Sequence, residues 1–275
     1  MSKKSEPTPP ETKAVQINLG DMSLKYLGAI QRAFDLAACT IGSLRCQTEK
    51  DYDEFSRALR FMPSQQHHLA FDAVRPAAES WLLRQLLGEA LSMLVPLLED
   101  ARSVAALATW KASGNTEQAR LQEILGPDRQ AFLALPFEDK LKTLREKFTI
   151  ASPNEPSLNS YLKLGQALAR GGTVTEADTT EGKDLVVRLM ALDLQPATPK
   201  PGEAATPGAM TGRVLDVPKS FAIGQKIELK KEEVLSVFGG VSLFITAIMG
   251  SLQAFVAKTL PNEGQPAKTS GGILD

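Results

Sequence analysis

VLSVFGGVSLFITAIMGSLQAFVA, from Val234 to Ala257, holds no charged residue and sits between Lys230-Lys231-Glu232-Glu233 and Lys258. As a helix it would be about 36 Å long, slightly more than the roughly 30 Å of a bilayer's hydrocarbon core. It is therefore either the central helix of a soluble bundle or a C-terminal membrane anchor. Ser236, Gly239, Gly240, Thr246, Gly250, Gln253 and Ala257 recur at threes and fours and form one stripe of small or weakly polar side chains. Val237, Phe238, Val241, Phe244, Ile245, Ile248, Leu252, Phe255 and Val256 cover most of the remaining circumference. A helix apolar nearly all round is buried, in protein or in lipid. The small stripe suits close helix packing in water and in a membrane alike. Neither end carries the Trp or Tyr of an interfacial belt, and the flanks lack the Lys/Arg asymmetry of a span. The expectation is a soluble core helix.

Upstream of it, the segments Lys226 to Leu229, Arg213 to Val217 and Leu185 to Leu194 read as short strands of a small antiparallel β insertion spanning 185–229. The proline- and glycine-rich stretch 195–212 interrupts it as a flexible loop. Before the insertion the pattern is helical. Leu24, Leu27, Ile30, Phe34, Ala37, Ala38, Ile41 and Leu44 predict an amphipathic helix over Met22 to Arg45, capped by Asp21 or Ser23. Tyr52 to Trp110 reads as a long helical region that Pro63, Pro76 and Pro96 break or bend. Trp81 and Trp110 read as core or boundary anchors within it.

A capped start at Asn115-Thr116-Glu117-Gln118 opens a helix that stops near Gly126-Pro127, and a short helix follows over Asp128 to Leu135. Pro136 opens the next, which buries Phe137, Leu141, Leu144 and Phe148. A further helix runs from Leu158 to Ala169 and ends at Gly171-Gly172. The fold class expected is mainly α: one helical domain over 17–257, bundled around its C-terminal helix. Residues 1–16 and 258–275 read as disordered tails.

The chain has 275 residues and a net charge of -1. A pI of about 6.2 gives no global pull toward nucleic acid or acidic lipid. The polar start, MSKKSEPTPPETK, reads as no secretory signal. Cys39 and Cys46 lie about 10 Å apart along a helix axis, too far for a disulfide, which suits a reducing cytoplasm. His67 and His68 are the only histidines. On a helix adjacent side chains diverge by about 100°, so the pair would not ligate one ion. Glycine-flanked serine and phosphate-cradling motifs are absent from the sequence. No catalytic, cofactor-binding or metal site is expected.

The order of segments carries one resemblance. LPFEDKLKTLREKFTI (Leu135 to Ile150) is followed by NSYLKLGQALARGGTVTEAD (Asn159 to Asp178). DLVVRLMALDL (Asp184 to Leu194) comes next, then FAIGQKIELKKEEV (Phe221 to Val234) leads into the final apolar helix. This arrangement resembles the HEPN-like helical domains, a family known for RNA cleavage and for toxin and defence systems. The family's ribonuclease centre is an Arg and, about five residues on, a His, usually assembled across a dimer. On this chain those positions fall on Leu164 and Ala169, neither of which can move a proton or stabilise a phosphorane. The resemblance therefore implies a non-catalytic member that acts through protein or RNA contacts, as a homodimer. Lys163 and Arg170 remain the bases nearest to that position. A tail-anchored membrane protein and an unrelated scaffold bundle are the competing expectations.

Overall fold

The computed structural model describes residues 18–58, 69–114, 117–179, 182–196 and 210–261. The expected tail over 1–16, residues 262–275 of the tail expected from 258 onward, the His67-His68 pair, Pro63, the Asn115-Thr116 cap and most of the proline-rich loop (197–209) lie outside those residues. Lys258 and Thr259 continue the last helix instead of opening that tail. Described helices are α1 Leu19–Cys46, α2 Glu49–Ala58, α3 Phe71–Ser92, α4 Leu94–Ala112, α5 Gln118–Leu125, α6 Pro127–Ala134, α7 Phe137–Phe148, α8 Glu155–Ala169 and α9 Lys231–Thr259. Two antiparallel strands, β1 Asp184–Pro196 and β2 Met210–Ala222, stand between α8 and α9. The architecture is mainly α, with a small antiparallel β insertion.

The helix that holds the uncharged stretch is the axis of this arrangement. α9 packs against α1, α3, α4, α8 and β1. Val234, Val237, Phe238, Val241, Phe244, Ile245, Ile248, Met249 and Leu252 are all buried along it. Its first turn is fixed by the Lys230 backbone N–H, which donates to the Glu233 carboxylate at 2.7 Å, and acids there complement the helix dipole. The small stripe divides. Gly240 is buried, whereas Gly239, Thr246, Gly250, Gln253 and Ala257 are exposed beside Leu235 and Leu243. Gly240 faces the Tyr161 ring so closely that a Cβ would lie 2.6 Å from its Cε2 and Oη. Nothing stands within 4 Å of the Cβ positions of Gly239 and Gly250.

α1 begins three residues before its expected start because Asn18, not Asp21 or Ser23, is the cap. Its side-chain oxygen accepts from the backbone N–H groups of Gly20 at 2.9 Å and Asp21 at 3.3 Å. Tyr26, Ile30, Ala33, Ala37 and Ile41, spaced by threes and fours, form its buried face. α3 and α4 meet at Met93, and Pro96 sits in the first turn of α4, where its missing N–H is not needed. Pro76 lies inside α3 without ending it. Trp81 is exposed rather than an anchor, at 56% of its full accessible area, while Trp110 is half-buried. Cys39 and Cys46 are both free and exposed.

The hairpin departs from the expected strands. β2 takes in the expected Arg213 to Val217 and continues to Ala222, pairing from Asp184↔Ala222 to Pro196↔Met210. Lys226 forms only an isolated bridge with Thr173. Leu185, Val187, Leu189 and Phe221 face the core. The outer edge of β1 is closed by two hydroxyls. Ser160 accepts from the Arg188 N–H at 3.0 Å, and Ser236 donates to the Met190 carbonyl at 2.6 Å. Edge groups that would otherwise stay unpaired are thereby satisfied from α8 and α9.

Candidate functional site

α8 carries the positions where the HEPN-like resemblance places its Arg and His. Leu164 is fully buried there, and Ala169 is exposed near the helix end. The two bases nearby hold the chain itself together. Arg170 pairs with Asp178, a carboxylate only 1% exposed. Asp178 also accepts from the Thr175 backbone N–H and hydroxyl, each at 2.8 Å. The Lys163 ammonium donates to the Thr179 carbonyl at 3.3 Å. These bonds close the turn that follows Gly171 and Gly172, whose φ angles of 111° and 77° favour glycine. An Arg and a Lys committed in this way stabilise the turn between α8 and the hairpin.

A concave site of another kind lies elsewhere, where α4 meets α5, α6 and α7. The cleft has a volume of about 540 Å³ and bears Arg102, Arg120, Lys147 and Asp128 among its lining. That size falls within the range of small-molecule sites. Ile124, Ala131, Phe132, Leu135 and Phe148 give it apolar walls, while Thr109, Ser113 and Thr143 add hydroxyls. A shallower hollow of about 420 Å³ beside α1 and α4 is bordered by Lys25 and Asp100. Those two form a 3.0 Å ion pair, and Asp100 also accepts from the Tyr26 hydroxyl at 2.6 Å. Its Lys25 and Asp100 are thus already matched to each other.

In the cleft the Thr109, Ser113 and Thr143 hydroxyls donate to backbone carbonyls, but two donors are less fully matched. Arg102 projects from the buried face of α4 and is 7% exposed. Its Nη1 donates to the Ile124 carbonyl at 2.8 Å, in the last turn of α5, where a cation complements the dipole. The nearest carboxylate oxygen, on Asp128 in the first turn of α6, is 3.7 Å from its Nη2, beyond hydrogen-bond reach. The same oxygen lies 3.5 Å from Arg120 Nη2, so two guanidinium groups share one acid. Arg120 has a second partner in Glu123. Burial pushes the Arg102 guanidinium below the usual arginine range, Asp128 acting against the shift and Arg120 with it. Trp110 also lines the cleft, and its buried Nε1–H has no acceptor among the described residues.

Lys140 supports the wall from behind. Its ammonium, buried on α7, donates to the Leu133 carbonyl at 2.9 Å and to the Leu135 carbonyl, gripping the end of α6. The lining contains neither His nor Cys. Among the described residues no three His, Cys, Asp or Glu side chains gather in a way that would hold a metal ion. Chemically the cleft can receive and neutralise an anion.

Sequence reasoning singled out none of Arg102, Arg120 or Lys147. One signal was present. Arg102 stands four residues after Leu98 and three before Ala105, on the apolar face of LVPLLEDARSVAALA, where a charge is unusual without a partner.

Searches among known protein families, curated proteins and solved structures find no match to this chain.

Proposed function

We propose that the chain is a non-catalytic helical protein of HEPN-like type, working in the cytoplasm as a homodimer through contacts with RNA or a protein partner. The observation that carries this reading is Leu164. The helix that would bear the family's ribonuclease pair turns that position into the core, where the leucine is fully buried. Ala169, five residues on, offers no imidazole in its place. Acid–base catalysis needs a titratable side chain within reach of the reacting oxygen, and these two positions supply none. Contacts are then the remaining route to function. An RNA contact made by lysines and arginines weakens steeply with salt, as condensed counterions are released.

The test uses the full chain and a fluorescent single-stranded RNA. The expected result is RNA that stays intact after prolonged incubation, with any binding falling between roughly 50 and 200 mM salt. Cleavage that disappears when His67 or His68 is replaced by Ala would defeat the reading. Light scattering at micromolar concentration reads the dimer, and a monomer removes that part.

One observation favours a second reading, a protein tethered to a membrane by α9. Two helical stretches, Phe71–Ala112 and Lys231–Thr259, are long and apolar enough to cross a bilayer by length and composition. The second has a mean hydropathy of 1.9 over its most apolar window, of which half is buried. A chain cut at Lys231 separates the readings. Burying one large aliphatic or aromatic side chain stabilises a fold by about 1.5–3 kcal/mol. Losing all those on α9 exceeds a total stability of about 5–15 kcal/mol. The cut chain should therefore be unfolded by circular dichroism. A folded, soluble cut chain beside a full chain that pellets with membranes establishes the tether.

A further inference from the structure

We infer that the cleft between α4, α5, α6 and α7 is a binding site for a small organic carboxylate with an apolar body, such as a medium-chain acid. The inference is independent of any macromolecular partner.

The starting point is a shortage of negative charge at a buried cation. Arg102 has five donor hydrogens, and among the described residues it makes one hydrogen bond, to the Ile124 carbonyl. Asp128, the acid paired with it among the described residues, is divided between Arg102 at 3.7 Å and Arg120 at 3.5 Å. Lys147 adds a third positive charge to the lining, so three cations face one lining carboxylate. Glu123 offsets Arg120 in part from outside the lining. A buried charge is tolerated when it is paired and hydrogen-bonded. A carboxylate entering the cleft supplies the acceptor that Arg102 lacks, in the bidentate geometry that guanidinium groups favour.

The buried Trp110 Nε1–H, on the same wall, is a second donor without an acceptor among the described residues. The rest of the lining selects the body of the ligand. Ile124, Ala131, Phe132, Leu135 and Phe148 are hydrocarbon, which solvates an alkyl chain and not a free inorganic ion. A phosphate dianion would call for more cationic donors than a cleft where Arg120 already serves two acids.

The test is a fluorescence titration of the full chain carrying Trp81→Phe, which leaves Trp110 as the sole indole. The probes are decanoate below its micelle-forming concentration, decanol, and inorganic phosphate. Decanoate should change the Trp110 emission saturably, with decanol and phosphate each at least about tenfold weaker, the size expected of one charge-assisted hydrogen bond. Arg102→Gln should weaken decanoate by about tenfold or more. Because Arg102 also pins α5, circular dichroism accompanies that variant. The exposed Lys147→Gln, which disturbs no packing, should weaken decanoate while leaving decanol unchanged, and it decides the matter if Arg102→Gln is unfolded. Equal affinity for decanoate and decanol overturns the inference. So does phosphate binding as tightly as decanoate, or a Lys147→Gln protein that titrates like its parent.

Discussion

Gly240→Ala adds one methyl group at the tightest crossing in the fold. The new Cβ would stand 2.6 Å from Tyr161 Cε2 and Oη and 3.0 Å from Cζ, about 0.8 Å short of the 3.4 Å at which ordinary contact begins. The ring cannot swing away at little cost, because Tyr161 is fully buried. Three atoms of a confined ring place the penalty at the upper end of overpacking, about 3 kcal/mol. Alanine's helix propensity returns about 1 kcal/mol. The net loss is about 2 kcal/mol, or about 4–8 °C in Tm for a domain of this size. Gly239→Ala is the internal control. Its Cβ meets nothing within 4 Å, so only the propensity gain of about 1 kcal/mol remains, with Tm rising by about 2–4 °C. Thermal melts followed at 222 nm read both variants, and adding Tyr161→Phe to Gly240→Ala should recover part of the loss. Two neighbouring glycines that respond alike, or a Gly240→Ala protein melting above the parent, refute the reasoning.

Asp178→Ala removes the acceptor for the Thr175 N–H and hydroxyl and the partner of Arg170, and should lower stability by about 3 kcal/mol in urea titrations. Arg170→Ala, at a half-exposed side chain, should lower it by under about 1 kcal/mol; equal losses would contradict this division. A third expectation concerns alkaline pH. Burial first, and the Asp100 carboxylate second, hold the Tyr26 phenol well above the usual tyrosine range, and burial does the same to Tyr161. A raised folded pKa means that the unfolded chain loses these protons first, at about pH 10. The stability they contribute is therefore complete below about pH 10 and is lost as pH rises beyond it. Denaturation midpoints measured from about pH 9 to 11 should fall, and less steeply in Tyr26→Phe.

Periodicity was enough for α7, α8, α9 and all but the first turn of α1, because a buried helix face repeats within a few residues and leaves a local trace. The length of β2 was not legible in the same way. Its pairing from Met210 onward depends on β1 as a template, and a segment such as PGAMTG has no strand preference of its own. The small stripe of α9 was visible as a stripe, yet nothing local said which of its glycines would meet a neighbour. That depends on Tyr161, 79 residues earlier in the chain, lying across Gly240 and not across Gly239. The cleft was least legible. It is assembled from side chains of four helices, and only the odd placement of Arg102 on an apolar face hinted at it. Lys163 and Arg170 looked free in the sequence because their partners, Thr179 and Asp178, sit beyond a glycine turn whose path spacing alone does not define.

The helix around which the others pack is also the one made after them. A ribosome adding roughly 5–20 residues per second releases α1 some 10–40 s before the segment that covers it. Over that interval Tyr26, Ile30, Leu87, Leu94 and Leu98, which share one core with α9, lack that part of their cover, and the Ser236 hydroxyl that closes the β1 edge has yet to be translated. Burial of that core can therefore be completed only after α9 itself has been made.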